Sequence, residues 1–260
     1  MLIDTHCHLD TAEFSADRDA IAQAARSAGV AKILIPAVET ANFAAVRHCC
    51  ERYPGCFPAY GIHPLYVDRA GEHDLGLLRE WLSQELSGQF PPVAVGEIGL
   101  DHFVTDVDAL RQEHYFTEQL KIARDLDLPV LLHVRRAIDP VLKCLRRIPV
   151  RGGIAHAFNG SQQQAEEFIK LGFKLGFGGS MTYPRATRIR HLAATLPLES
   201  IVLETDAPDI APAWLAAGRN SPQELAAIAK VLADLRSLPL SQVIEATTQN
   251  ANSVIRGPNR

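Results

Sequence analysis

No uninterrupted apolar run in the 260-residue sequence approaches the ~18 residues of a membrane-spanning helix. The start also lacks a basic segment followed by an apolar stretch, so neither a signal peptide nor a membrane span is expected. The five cysteines, Cys7, Cys49, Cys50, Cys56 and Cys144, are odd in number and contain no C-x-x-C spacing. A disulfide framework and a zinc ribbon are therefore not suggested, and a reducing, cytoplasmic setting fits best. An excess of positive charge is missing too: 26 Lys and Arg against 30 Asp and Glu leave a formal net charge of -4. Such a chain does not coat nucleic acid by bulk electrostatics, so any nucleic-acid role must rest on a local basic patch. Linkers, low-complexity segments and internal repeats are also lacking, which predicts a single domain over residues 1–260.

What is present is a regular alternation. Short apolar runs bounded by turn signals occur as "LIDTH" from Leu2, "KILIPA" from Lys32, "FPAYGI" from Phe57 and "VAVGEIG" from Val93. They continue as "PVLLHV" from Pro129, "GGIAHAF" from Gly152, "FKLGFGG" from Phe173 and "SIVLETD" from Ser200. Between them lie stretches of helical composition, such as "DRDAIAQAARSAG" and "ALRQEHYFTEQLKIARDLD". Strand alternating with helix implies parallel strands joined by crossovers, and eight units in this length predict an α/β fold, a (β/α)₈ TIM-type barrel. An open doubly wound sheet is the alternative. The tail from Ser221 to Ile255 reads as two amphipathic helices separated by "SLPLS", expected to pack on the outside or floor of the barrel.

The polar residues fall at the ends of these runs. In "DTHCHLD", His6 and His8 are two apart and would share one face of an extended segment, with Cys7 turned to the packed side. Glu97 lies in the fourth run, His133 ends the fifth, His156 lies in the sixth and Asp206 ends the eighth. The carboxyl ends of parallel barrel strands converge on one mouth, so these six side chains are expected to meet. Four imidazoles and two carboxylates suffice for two divalent metal ions, with Glu97 bridging them. The mixed nitrogen and oxygen set favours zinc or manganese, and magnesium fits if water completes its shell. Asp206 is expected both to ligate and to accept a proton from the attacking water. His63, in "GIHP", and Arg135, two residues past His133, should face the mouth as substrate-binding residues without completing a metal shell. His48, His73, His114 and His191 fall in helical stretches, and His102 lies in a loop.

With "GIHP" from Gly61, "GEIGLD" from Gly96, "HVRRA" from His133, "HAFNGS" from His156, "ETDAP" from Glu204 and "TQNANSVI" from Thr248, the sequence resembles the TatD-type metal-dependent hydrolases of the amidohydrolase-like superfamily. The motifs run in order along nearly the whole chain. The resemblance implies a two-metal barrel hydrolase that cleaves phosphodiesters, with deoxyribonuclease activity in some members. By motif it places His6, His8 and Asp206 on one metal, His133 and His156 on the other, and Glu97 between them. Three motifs depart from the pattern, at four positions: Arg136 follows Arg135 where the family has aspartate, "HAFNG" stands for "HCFSG" with Ala157 and Asn159, and "RNSP" places Ser221 where the family has glutamate.

The leading expectation is a phosphodiesterase or nuclease acting transiently on DNA or a small phosphoester, with Arg135, Arg185, Arg188 and Arg190 available to phosphates. Hydrolysis of an amide or lactone by the same centre is the second reading, and a non-catalytic binding protein the third. A monomer is expected, because no coiled-coil or swapped segment is apparent.

Overall fold

The fold, taken from a computed structural model that describes residues 1–216 and 218–255, is an eight-stranded parallel barrel wrapped by helices. The strands are β1 (Leu2–Asp4), β2 (Val30–Pro36), β3 (Cys56–Tyr60), β4 (Ala94–Asp101), β5 (Val130–Arg135), β6 (Gly153–Ala155), β7 (Phe173–Phe177) and β8 (Ile201–Leu203). The helices are α1 (Arg18–Ser27), α2 (Phe43–Arg52), α3 (Asp74–Glu85), α4 (Ala109–Asp125), α5 (Ile138–Arg147), α6 (Gln162–Lys170), α7 (Thr187–Thr195), α8 (Leu225–Arg236) and α9 (Leu240–Ile255). Strands pair in sequence order. Backbone hydrogen bonds from Thr5 N to Leu203 O (3.0 Å) and from Asp206 N to His6 O (2.8 Å) join the first and last strands. The alternative of an open sheet is thereby excluded. The last five residues of the expected domain, 256–260, lie outside the described residues.

Local sequence explains the boundaries. Asp108 caps α4 by accepting from the amides of Leu110 and Arg111, at 2.8 and 3.2 Å. Ser161 and Gln164 satisfy each other's backbone amides at the start of α6, the reciprocal arrangement encoded by S-x-x-Q. α7 occupies the arginine-bearing segment, so Arg188 and Arg190 are helical. His73 immediately precedes α3 and lies outside the helix.

The barrel interior is layered. Ile3, Leu34, Ala59, Ala94, Leu131, Ile154 and Val202, one residue each from seven strands, pack with Ala251, Val254 and Ile255 of α9 into an apolar floor. The amide of Asn250 fastens α9 by donating to Leu198 O and Ile201 O at 2.8 and 2.7 Å. Because side chains alternate along a strand, the residues two steps above this floor also face inward. Leu131 leads to His133, Ile154 to His156 and Val202 to Glu204. On β4 the register changes: Val95 and Ile98 pair with Val130 and Leu132, so β4 carries one extra residue as a bulge. The bulge turns Glu97 rather than Gly96 toward the barrel axis.

β1, β6 and β8 are shorter than the sequence suggests, and His6, His8, His156 and Asp206 lie just beyond their ends. There the chain leaves regular strand geometry, with Ala157 at φ 46° and Asp206 at φ 58°. Left-handed backbone at a residue with a Cβ is uncommon and is held by its surroundings. Cys7 is buried in the core, on the packed side as expected, and all five cysteines are free and buried.

Candidate metal centre

The six ligand candidates meet at the C-terminal mouth of the barrel, and His63 joins them. Glu97, 2% exposed, stands at the centre. Its Oε2 lies 3.1 Å from Nε2 of His6 and 3.7 Å from Nε2 of His8. Its Oε1 lies 3.0 Å from Nδ1 of His133 and 3.5 Å from Nε2 of both His63 and His156. Asp206 approaches from the other side, with Oδ1 3.4 Å from Nε2 of His6 and 3.8 Å from Nε2 of His8. Three overlapping groups have donor atoms within 4.8 Å of one another: His6, His8 and Glu97; His6, His156 and Asp206; and His63, Glu97 and His133. The sequence expectation set His63 apart from the ligands, whereas its Nε2 sits among them, 3.0 Å from Nδ1 of His133.

These contacts suit a cation better than a proton network. Nε2 of His6 and Nε2 of His8 face each other at 3.2 Å while both point at carboxylate oxygens, and Nδ1 of His6 is buried without a partner. Carboxylates only accept, so this many converging lone pairs exceeds the protons available to link them. Nitrogen and carboxylate ligands fit a divalent transition metal or zinc.

Electrostatics divide the imidazoles: against burial, Asp206 and Glu204 raise His156 to about 10 and Asp101 and Glu97 raise His133, whereas His6 and His63 are lowered. Burial pushes the His6 imidazole down to about 3, with His156 acting in the same direction. His63 is pushed down to about 4, mainly by burial. Both therefore keep a free lone pair at neutral pH. Burial alone would raise Glu97, but nearby His6 and His63, with hydrogen bonds from His133 and His6, hold it well below the ordinary carboxylate range. Asp206 is raised to about 6 by burial, against the pull of His156 and His8. That value suits a group that gains and loses a proton near neutrality.

Three carboxylates that the sequence analysis did not single out support the centre from behind. Asp101 Oδ2 lies 2.9 Å from Nε2 of His133. Glu204 Oε1 lies 3.4 Å from Nδ1 of His156 and accepts from the amide of Ala157 at 2.5 Å. Gly176 leaves room for this side chain, since a Cβ there would come within 2.1 Å of Glu204 Oε2. Asp4 accepts from the amide and hydroxyl of Thr205 at 2.9 and 2.6 Å, tying β1 to the loop that carries Asp206. The signal was the strand period: Asp4 precedes His6 by two residues, and Glu204 precedes Asp206 by two. Carboxylates that hold the far nitrogen of a ligating histidine fix its orientation and tautomer.

Arg135 does not enter the cluster. Its guanidinium stacks on Phe103, 3.8 Å from the ring centroid. Arg188 donates to Oδ1 of Asn159 at 2.7 Å, and Arg190 donates to Met181 O at 3.0 Å. Ser221 is buried, with its amide bonded to Asn220 Oδ1 at 2.8 Å and its hydroxyl without a partner. His102 is exposed in the loop after β4. Among the described residues, no helix is long and apolar enough to cross a membrane.

A closed (β/α)₈ barrel carrying buried histidines and carboxylates at its C-terminal mouth defines the class of metal-dependent barrel hydrolases. Residues 3–256 match the family described as TatD related DNase, and the chain belongs to this TatD family of metal-dependent hydrolases. It is 42% identical over 257 residues, 98% of each chain, to an Escherichia coli K12 protein described as the uncharacterized metal-dependent hydrolase YjjV. The crystal structure of that TatD homologue superimposes with a TM-score of 0.94, covering 99% of this chain and 98% of the other. A Cronobacter sakazakii protein described as the 3'-5' ssDNA/RNA exonuclease TatD is 32% identical over 262 residues, covering 96% of each chain.

Proposed function

We propose that the chain hydrolyses phosphodiester bonds at a centre for two divalent cations, as a nuclease or phosphodiesterase of DNA or short phosphoesters. The observation that carries this reading is the division of Glu97, with Oε2 toward His6 and His8 and Oε1 toward His63, His133 and His156. A single carboxylate shared by two sets of imidazoles is the arrangement a bridging ligand requires. His6, His8 and Asp206 would hold one cation and His133 and His156 the other, with zinc or manganese favoured by ligand type and magnesium also compatible. Bound there, the cations supply Lewis acidity at the phosphoryl oxygen and lower the pKa of water.

The protein's own groups supply the remaining steps. Asp206 accepts the proton of the attacking water. His63, lodged against His133, keeps that imidazole in place or orients a phosphate oxygen. Arg135, on the same strand as His133 and nearer the mouth, receives a non-bridging oxygen of the substrate. The description of the Cronobacter relative as a 3'-5' ssDNA/RNA exonuclease supports the phosphodiester reading over amide or lactone hydrolysis.

The test is turnover of bis(p-nitrophenyl) phosphate by metal-loaded protein beside a panel of amides and lactones. Hydrolysis of the diester that stops on chelation is expected. Turnover confined to amides or lactones overturns the reading.

A further inference from the structure

We propose that Arg136, together with Phe103 and Arg135, forms a subsite for a second phosphate, one linkage away from the bond that is cleaved. This rests on the phosphodiester reading above. The Phe103 ring, 43% exposed, carries two guanidinium groups, with Arg135 at 3.8 Å and Arg136 at 4.6 Å from its centroid. Both arginines are exposed, and among the described residues neither guanidinium has a hydrogen bond or ion pair to the protein. Two like charges held at one aromatic ring without a carboxylate between them form a receptor for an anion, and the planar guanidinium fork matches phosphate.

The backbone is built for this convergence. Strand alternation would send Arg136 to the opposite side from Arg135. Instead Arg136 adopts φ 55°, and its side chain returns to the ring that Arg135 occupies. A left-handed arginine is strained, and such strain persists where the surroundings impose it. Phe103 is also fixed relative to the metal centre. Asp101, which holds His133 through Oδ2 at 2.9 Å, accepts from the amides of Phe103 and Val104 through Oδ1 at 2.8 and 3.2 Å. One carboxylate thus sets both a candidate ligand and the aromatic platform.

The distance is appropriate for a neighbouring group. Arg135 lies two residues beyond His133, about 6.6 Å farther along the strand toward the mouth at ~3.3 Å per residue. A scissile phosphate at the metal centre would leave Arg135 able to reach it, with Arg136 beyond. A phosphate there could be a terminal monoester or the next diester of an oligonucleotide. Both present non-bridging phosphate oxygens to the arginines, the monoester as a dianion and the diester as a monoanion.

The test uses metal-loaded protein and a thymidine dinucleotide with an uncleavable methylphosphonate linkage. It is prepared with a 5'-phosphate, with a 3'-phosphate, with either phosphate capped as its ethyl diester, and with no terminal phosphate. Calorimetry is expected to show about tenfold tighter binding for a phosphate at one end only. The capped forms distinguish a monoester dianion from an internal diester as the preferred occupant. In Arg136→Ala and Phe103→Ala the ratio between phosphorylated and unphosphorylated ligand should fall to near one. Arg136→Lys, which keeps charge without the planar fork, should fall between. The ratio is taken within each variant, so a general loss of binding or folding does not imitate the effect. Equal affinity for all forms in the wild-type protein, or a ratio unchanged in Arg136→Ala, overturns the subsite. Turnover of bis(p-nitrophenyl) phosphate, with no second phosphate, reports separately on the phosphodiester reading.

Discussion

Asp101 and His133 are joined side chain to side chain, Oδ2 to Nε2 at 2.9 Å, while Nδ1 of the same imidazole faces Glu97 at 3.0 Å. With a cation on the Nδ1 side, the carboxylate fixes the proton on Nε2 and leaves the other nitrogen free to ligate. Asp101→Asn would present an amide that donates as readily as it accepts. Metal affinity is expected to fall about 10–100-fold, measured by competition with a chromophoric chelator. Wild-type affinity in this variant would show that His133 needs no such partner.

Removing Glu97 tests the shared ligand. If one carboxylate serves both sets of histidines, Glu97→Ala lowers the metal content of both positions together. Elemental analysis of purified protein is the measurement. Full occupancy in the variant would refute the bridge, and loss of only one ion would confine Glu97 to one set.

Asp206 carries the proton in this scheme. Asp206→Asn retains an oxygen that can ligate but loses its basicity, so kcat should drop about 10²–10⁴-fold, far more than metal content. Turnover of bis(p-nitrophenyl) phosphate near the wild-type rate would assign the proton to another group.

Arg135 is expected to act on substrate rather than on metal. Arg135→Ala should raise KM for phosphodiesters at unchanged metal content, and added salt should weaken the wild-type protein more than the variant. An Arg135→Ala variant silent on every phosphodiester but impaired on a carboxylate-bearing amide or lactone would favour the amidohydrolase alternative.

The loop that presents Asp206 depends on Asn220. This fully buried amide donates to Thr205 O and Asp209 O, both at 2.8 Å. Asn220→Ala leaves the buried Thr205 carbonyl without this donor and should cost about 1–3 kcal/mol of stability. Denaturant unfolding measures that loss, and an unchanged midpoint would mean that water replaces the amide.

The chain itself determines the alternation of strand and helix. Eight apolar runs separated by helical stretches admit few arrangements, and their polar ends mark His6, His8, Glu97, His133, His156 and Asp206 as ligand candidates. What it does not determine is the side to which an irregular backbone turns a side chain. Period-two reasoning places Gly96, not Glu97, two steps above Ala94, and only the bulge against β5 brings the carboxylate inward. The same reasoning separates Arg135 from Arg136, until the left-handed turn at Arg136 gathers both on Phe103. His63 is legible as a residue near the mouth, but the 3.0 Å approach to His133 depends on how β3 and β5 are spaced around the closed barrel. Asp101 and Glu204 stood in recognised motifs, yet their roles depend on which imidazole nitrogen each one meets. Sequence records side-chain chemistry and local period. Distances between residues far apart in the chain are decided only when closure of the barrel fixes register, bulges and rotamers together.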